Sequence, residues 1–99
     1  MVRIKWLKSA KTDLKDIFDY IAKDSKNYAK LQVERIVSRT QILHKHFFSG
    51  KIVEYFNDST IRELIEGNYR IIYRIVSSQE VHILMIHHSA RDLSRRTPP

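Results

Sequence analysis

Three strand-like runs follow one another in the last third of the chain, Ile61 to Ile65, Tyr69 to Val76 and Val81 to Ile86. Only Glu66-Gly67-Asn68 and Ser77-Ser78-Gln79-Glu80 separate them, and connections that short join antiparallel neighbours. The runs therefore predict one continuous meander in a sheet. Side chains alternate across a strand, so Tyr69, Ile71, Tyr73 and Ile75 face one way and Arg70, Ile72, Arg74 and Val76 the other. The same rule divides the last run into Val81, Ile83, Met85 and His87 against His82, Leu84, Ile86 and His88. Neither set is wholly polar, so both sides of the sheet need a cover.

The first half of the chain supplies a cover for one side. Val2, Ile4 and Trp6 alternate with Arg3 and Lys5, which predicts a strand from Val2 to Leu7. Ser9 can cap the helix that follows, and Ala10, Leu14, Ile17, Phe18 and Ile21 share one helical face. Asp13, Asp16, Asp19 and Lys15 then fall on or near the solvent side. After a polar turn at Asp24 to Asn27, apolar or small residues recur four and three apart at Ala29, Val33, Ile36, Thr40, Leu43 and Phe47. Fewer than three heptads and a short preceding turn favour an antiparallel helical hairpin over the alternative of a dimeric coiled coil. Ser49-Gly50 ends the second helix, Lys51 to Phe56 reads as another strand, and Asn57 to Thr60 as a turn. The expected fold is one α+β domain over residues 1–99: an N-terminal strand, a two-helix hairpin, a mainly antiparallel sheet of four further strands and a short C-terminal helix. The second side of that sheet, with Ile72, Val76 and half of the last strand, is left either to the tail near Leu93 or to another molecule.

The chain has no cysteine, which excludes disulfides and thiolate zinc sites and suits a reducing cytoplasm. No apolar run is long enough to cross a bilayer, and Met1 to Trp6 alternates instead of forming a signal-peptide core. The expected location is the cytoplasm. Eighteen Lys and Arg against eleven Asp and Glu give a formal charge of +7, which favours an acidic protein, a nucleic acid or a ribonucleoprotein as partner.

No Gly-rich phosphate loop, H-E-x-x-H or calcium loop occurs, and neither a metal nor a cofactor is expected. His44 and His46 lie two apart on a helix and do not share a face, so they read as solvated residues near its C-terminal end. His87 reads as a core or hydrogen-bonded histidine. His88 is the better candidate for chemistry, because Arg91 and Asp92 follow within one turn, although Asp92 can equally cap a turn or pair with Arg91 or Arg95. Arg70 stands between aromatic neighbours in a strand and needs an anion there, either Glu63 or Glu54 or a bound phosphate or carboxylate. A metal-free ribonuclease requires a base, an acid and cations for the phosphate, posts that Arg70, His88 and Arg91 can fill in principle.

Arg62-Glu63-Leu64, Gly67-Asn68-Tyr69-Arg70-Ile71-Ile72-Tyr73-Arg74-Ile75 and the closing His88-x-Ala90-Arg91-Asp92-Leu93 together resemble the ParE/RelE superfamily of type II toxins. Gly50-Lys51-Ile52-Val53-Glu54 and Trp6 before a helix support the likeness. It implies the toxin half of a plasmid-stabilisation type module, in hetero-oligomeric complex with a cognate acidic antitoxin. RelE-type members, ribosome-dependent mRNA endoribonucleases, use arginines at the positions matching Arg70 and Arg91, lysines on the preceding strand and a late tyrosine. Here Ile61 and Glu63 occupy the lysine positions and no tyrosine follows Tyr73. The motifs look more like the ParE branch, whose characterised members inhibit DNA gyrase without cutting RNA. The residues expected to meet a partner are Arg70, Ile72, Arg74, Leu84, Ile86, Arg91 and Leu93. A non-toxic basic module that binds nucleic acid is the remaining alternative.

Overall fold

The computed structural model describes all 99 residues, Met1 to Pro99. In chain order it consists of β1 (Arg3–Trp6), α1 (Lys8–Ala22), α2 (Lys26–Thr40), β2 (Lys51–Ile52), β3 (Ile61–Glu66), β4 (Tyr69–Ser77) and β5 (Glu80–His88). Short 3₁₀ turns cover Gln41–His44, Glu54–Phe56 and Leu93–Arg95. The strands form one sheet in the order β1-β5-β4-β3-β2, all neighbours antiparallel except β1, which runs parallel to β5. The parallel pair is possible because the helical hairpin lies between β1 and the other strands and carries the chain back across the sheet.

The α+β fold class matches the expectation, with differences at element ends. The second helix stops at Thr40, where the Thr40 hydroxyl donates to the Val37 carbonyl at 2.7 Å, and a 3₁₀ turn carries Leu43 into the core instead. The second strand is only Lys51–Ile52, since Val53 turns inward and the chain tightens into a 3₁₀ turn ended by left-handed Asn57 at φ 50°. The expected C-terminal helix is a single 3₁₀ turn, capped by the Asp92 carboxylate on the Ser94 amide and hydroxyl. Ser9 is not the cap of α1. Leu7 holds that position without a side-chain bond, and the Ser9 hydroxyl donates to the Leu84 carbonyl.

Ser9 does so because β1 is shorter than β5. Pairing with β1 ends with the Leu7 amide on the Ile83 carbonyl, which leaves the edge of β5 open beyond that point. One turn along α1 from Ser9, the Asp13 carboxylate accepts the Ile86 amide at 3.0 Å. The first turns of the helix thus satisfy the strand edge that a longer β1 would have satisfied. Asp13 consequently lies against the sheet and not on the expected solvent side.

A β-bulge overturns the alternation expected for the last strand. Ile72 pairs with Met85 and the next residue, Tyr73, with Ile83, so Leu84 is an extra residue. Beyond it the phase reverses. Ile86 joins Val81, Ile83, Ile71 and Tyr73 on the side covered by the helices, and Met85 joins Leu84 and Ile72 on the other.

That other side is closed by the chain itself. Leu93 from the tail, Val53 from the loop after β2, and Ile61 pack with Ile72, Leu84 and Met85, flanked by Leu7 and Phe56. Ile72, Leu84, Ile86 and Leu93 are all buried, so the expected open apolar face for a partner is not present. The loop from Val53 to Phe56 provides the cover that the strand reading of that segment had removed.

Candidate functional site

The bulge and the tail produce two clefts on opposite sides of the C-terminal end of β5, and Arg91 borders both. The first, about 580 Å³, lies between α1 and the strand end. Ile17 and Ile86 supply apolar lining, Tyr20 and Tyr69 aromatic walls, and His88 and Arg91 the groups that can donate hydrogen bonds. Phase reversal at Leu84 is what brings His88 to this side, opposite Tyr69 in the β4–β5 register. Their rings meet edge to face, 5.3 Å apart at 85°. The Ala90 amide donates to His88 Nδ1 at 3.1 Å, so in the neutral ring the proton sits on Nε2. Burial, and then the neighbouring Tyr28 and Tyr20 hydroxyls, push the Tyr69 hydroxyl above the usual tyrosine range, so it remains a neutral donor. Arg96 closes the rim by donating to Asp13 at 2.7 Å.

The second cleft, about 420 Å³, is lined by Lys51, Tyr55, Glu63, Arg70, Arg91 and Leu93 among others. Arg70 does not stand free in it. Its Nε and Nη2 reach one oxygen of Glu63, at 2.7 and 2.5 Å, and both side chains are mostly buried. Arg74 lies on the same side of β4, where it donates to the Pro99 carbonyl at 2.7 Å and approaches Asp58 at 4.0 Å. Arg91 is exposed, and its carbonyl accepts a hydrogen bond from buried His87 Nε2 at 2.9 Å.

Residues 4–93 match the family model described as the ParE toxin of the type II toxin–antitoxin system, parDE. The chain belongs to the ParE toxin family. A solved structure described as the chromosomal ParDE TA system from P. aeruginosa is similar at 25% identity and a TM-score of 0.73, over 89% of this chain and 96% of that one. No curated protein matches the sequence.

In this ParE-family chain the three residues considered for ribonuclease chemistry do not converge. Arg70 lines only the second cleft and His88 only the first, with the thickness of the sheet between them. Arg91 alone borders both. Arg70 and Arg91 share the second cleft without any histidine, and there the Glu63 carboxylate already engages the first of the two guanidiniums. His44 also departs from its expected solvated role, because its Nδ1 lies 2.7 Å from the Val2 carbonyl and helps fix the start of β1.

Sequence reasoning missed Tyr20, Tyr69 and Asp13 as parts of the first cleft. Asp13 carried a usable signal, since Ser9, Asp13 and Ile17 are spaced four apart and form one row beside the buried face of α1. Nothing local signals the bulge at Leu84 that delivers His88 to Tyr69.

Proposed function

We propose that this ParE-family toxin inhibits DNA gyrase by binding it, without cutting RNA, and that a cognate acidic antitoxin neutralises it in the cytoplasm. The observation that carries this reading is the separation of Arg70 from His88 by the sheet, together with the Glu63 carboxylate on Arg70. A ribonuclease built on Arg70, His88 and Arg91 needs all three around one phosphate, and no cleft brings Arg70 and His88 together. An inhibitor that works by contact needs surface instead. Tyr20, Tyr55 and Arg91 stand exposed at the two clefts, and Tyr and Arg are the residue types that dominate protein interfaces.

The formal +7 charge supports an acidic partner, whose approach it accelerates and whose register it helps to fix. Of the residues first expected to meet a partner, Arg91 is the one that remains freely available. Arg70 and Arg74 contribute only through already paired guanidiniums, and Ile72, Leu84, Ile86 and Leu93 support the surface from beneath. The test is supercoiling of relaxed plasmid by purified gyrase with increasing toxin. Loss of supercoiling or accumulation of cleaved DNA is expected, and mRNA cleavage in a translating extract with gyrase unaffected would reverse the assignment.

A further inference from the structure

A row of basic side chains crosses three strands of the sheet. Lys5 on β1 pairs in register with His82 on β5, and His82 with Arg74 on β4, all three on the side away from the helices. Adjacent strands lie about 4.8 Å apart, so three basic groups stand side by side across three strands. Glu80 meets His82, and the Pro99 carbonyl and Asp58 meet Arg74, so Lys5 is the member of the row without a partner. Lysines on an edge strand discourage sheet-to-sheet association, and β1 is an edge strand. That role does not extend to Lys8 and Lys11, which stand on α1.

Further cations stand on β1 and on the helix that directly follows it. Arg3 and Lys5 are exposed on β1, and Lys8 and Lys11 are exposed three apart on the first turn of α1. No acidic residue occupies that first turn. Cations at a helix N-terminus oppose the helix dipole, and glutamates there would favour folding. Near Arg3, Lys5 and Arg74 stand two carboxylates, Glu80, which pairs with Arg3 and His82 and also feels the Lys5 charge, and Asp58 beside Arg74. The lysines have no ion-pair partner.

We infer that this set of cations binds the phosphate backbone of duplex DNA without regard to sequence. Regular phosphates along a duplex match a line of cations running from the first turn of α1 over β1 onto the sheet, and contacts of this kind need no pocket and no base recognition. The inference is independent of the gyrase reading, because none of Arg3, Lys5, Lys8, Lys11 and Arg74 lines either cleft.

The test is fluorescence anisotropy with a labelled random-sequence duplex of about 20 base pairs, between about 50 and 200 mM salt. Four phosphate contacts predict a slope of log affinity against log salt of about −3 to −4. The variant Lys5→Glu/Lys8→Glu/Lys11→Glu is expected to bind at least about tenfold more weakly at low salt, with the slope reduced to about −1. Its thermal midpoint should be unchanged or higher, since the new glutamates suit the helix N-terminus. A control with the same change in net charge, Lys26→Glu/Lys30→Glu/Arg35→Glu on exposed positions of α2, should keep most of the affinity. Failure to bind duplex at about 50 mM salt, equal losses in the two variants, or binding of single-stranded RNA in preference to duplex DNA would each overturn the inference.

Discussion

Arg70 on β4 and Glu63 on β3 form a mostly buried pair in which two guanidinium nitrogens share one carboxylate oxygen. The pair decides how the second cleft behaves, since it neutralises a cation that would otherwise be free to hold a phosphate. Removing the carboxylate leaves a partly buried charge unpaired. Glu63→Gln is expected to lower stability by about 1–3 kcal/mol in urea unfolding, whereas Arg70→Ala is expected to leave gyrase inhibition by folded protein within about twofold of the unaltered chain.

Gly50 and Tyr73 are a second constraint. A Cβ at Gly50 would lie 2.5 Å from the Tyr73 hydroxyl oxygen and 2.8 Å from the Glu63 carbonyl, with backbone on one side and a buried ring on the other. The hydroxyl accepts the Gly50 amide at 3.0 Å and donates to the Phe47 carbonyl at 2.8 Å. Gly50→Ala is expected to cost about 1–3 kcal/mol by crowding. Tyr73→Phe is expected to cost a similar amount by leaving two backbone groups unpaired, again measured by chemical unfolding.

Leu93 is the apolar anchor of the tail on the second side of the sheet. Leu93→Ala is expected to destabilise by about 2–3 kcal/mol. It should also increase binding of a hydrophobic dye, because Ile72 and Leu84 lose their cover; unaltered dye binding and stability would show that the tail does not seal that side.

The acid limb of stability should depend on Glu80. Its hydrogen bond from His82 holds its carboxyl below the usual glutamate range; burial opposes this, and the Arg3 charge adds to the lowering. A carboxyl depressed in the folded state stabilises in full above its unfolded value of about 4.3 and loses that contribution as pH falls through the folded one. Urea midpoints of the Glu80→Gln variant and the unaltered chain are therefore expected to differ at pH 7 and to converge towards pH 3.

Much of the fold was legible because periodicity and turn length are local properties. The β3–β4–β5 meander followed from two short connections, the helical hairpin from four-and-three spacing, and the family from motifs spread over most of the chain. The faces of β5 were not legible. A single inserted residue at Leu84 reverses every later side chain, and its cause lies in the pairing with Ile72 and Tyr73, which sequence does not display. The cover of the second side by the tail near Leu93 was one of two readings left open, and the part played by the loop after β2 was not legible for a related reason. Lys51 to Phe56 has strand composition, but Val53 and Phe56 serve the core better by turning over Ile61 and Ile72. Among the candidate site residues, the Glu63 partner of Arg70 was anticipated, while the opposite placement of Arg70 and His88 needed coordinates.

The most direct measurement is the supercoiling activity of purified gyrase titrated with folded toxin, repeated with Arg91→Ala and with Arg70→Ala/His88→Ala. Contact inhibition predicts loss of supercoiling by the unaltered chain, weaker inhibition by the Arg91 variant, and inhibition largely retained by the double variant. Full supercoiling at large molar excess of the unaltered toxin would contradict it.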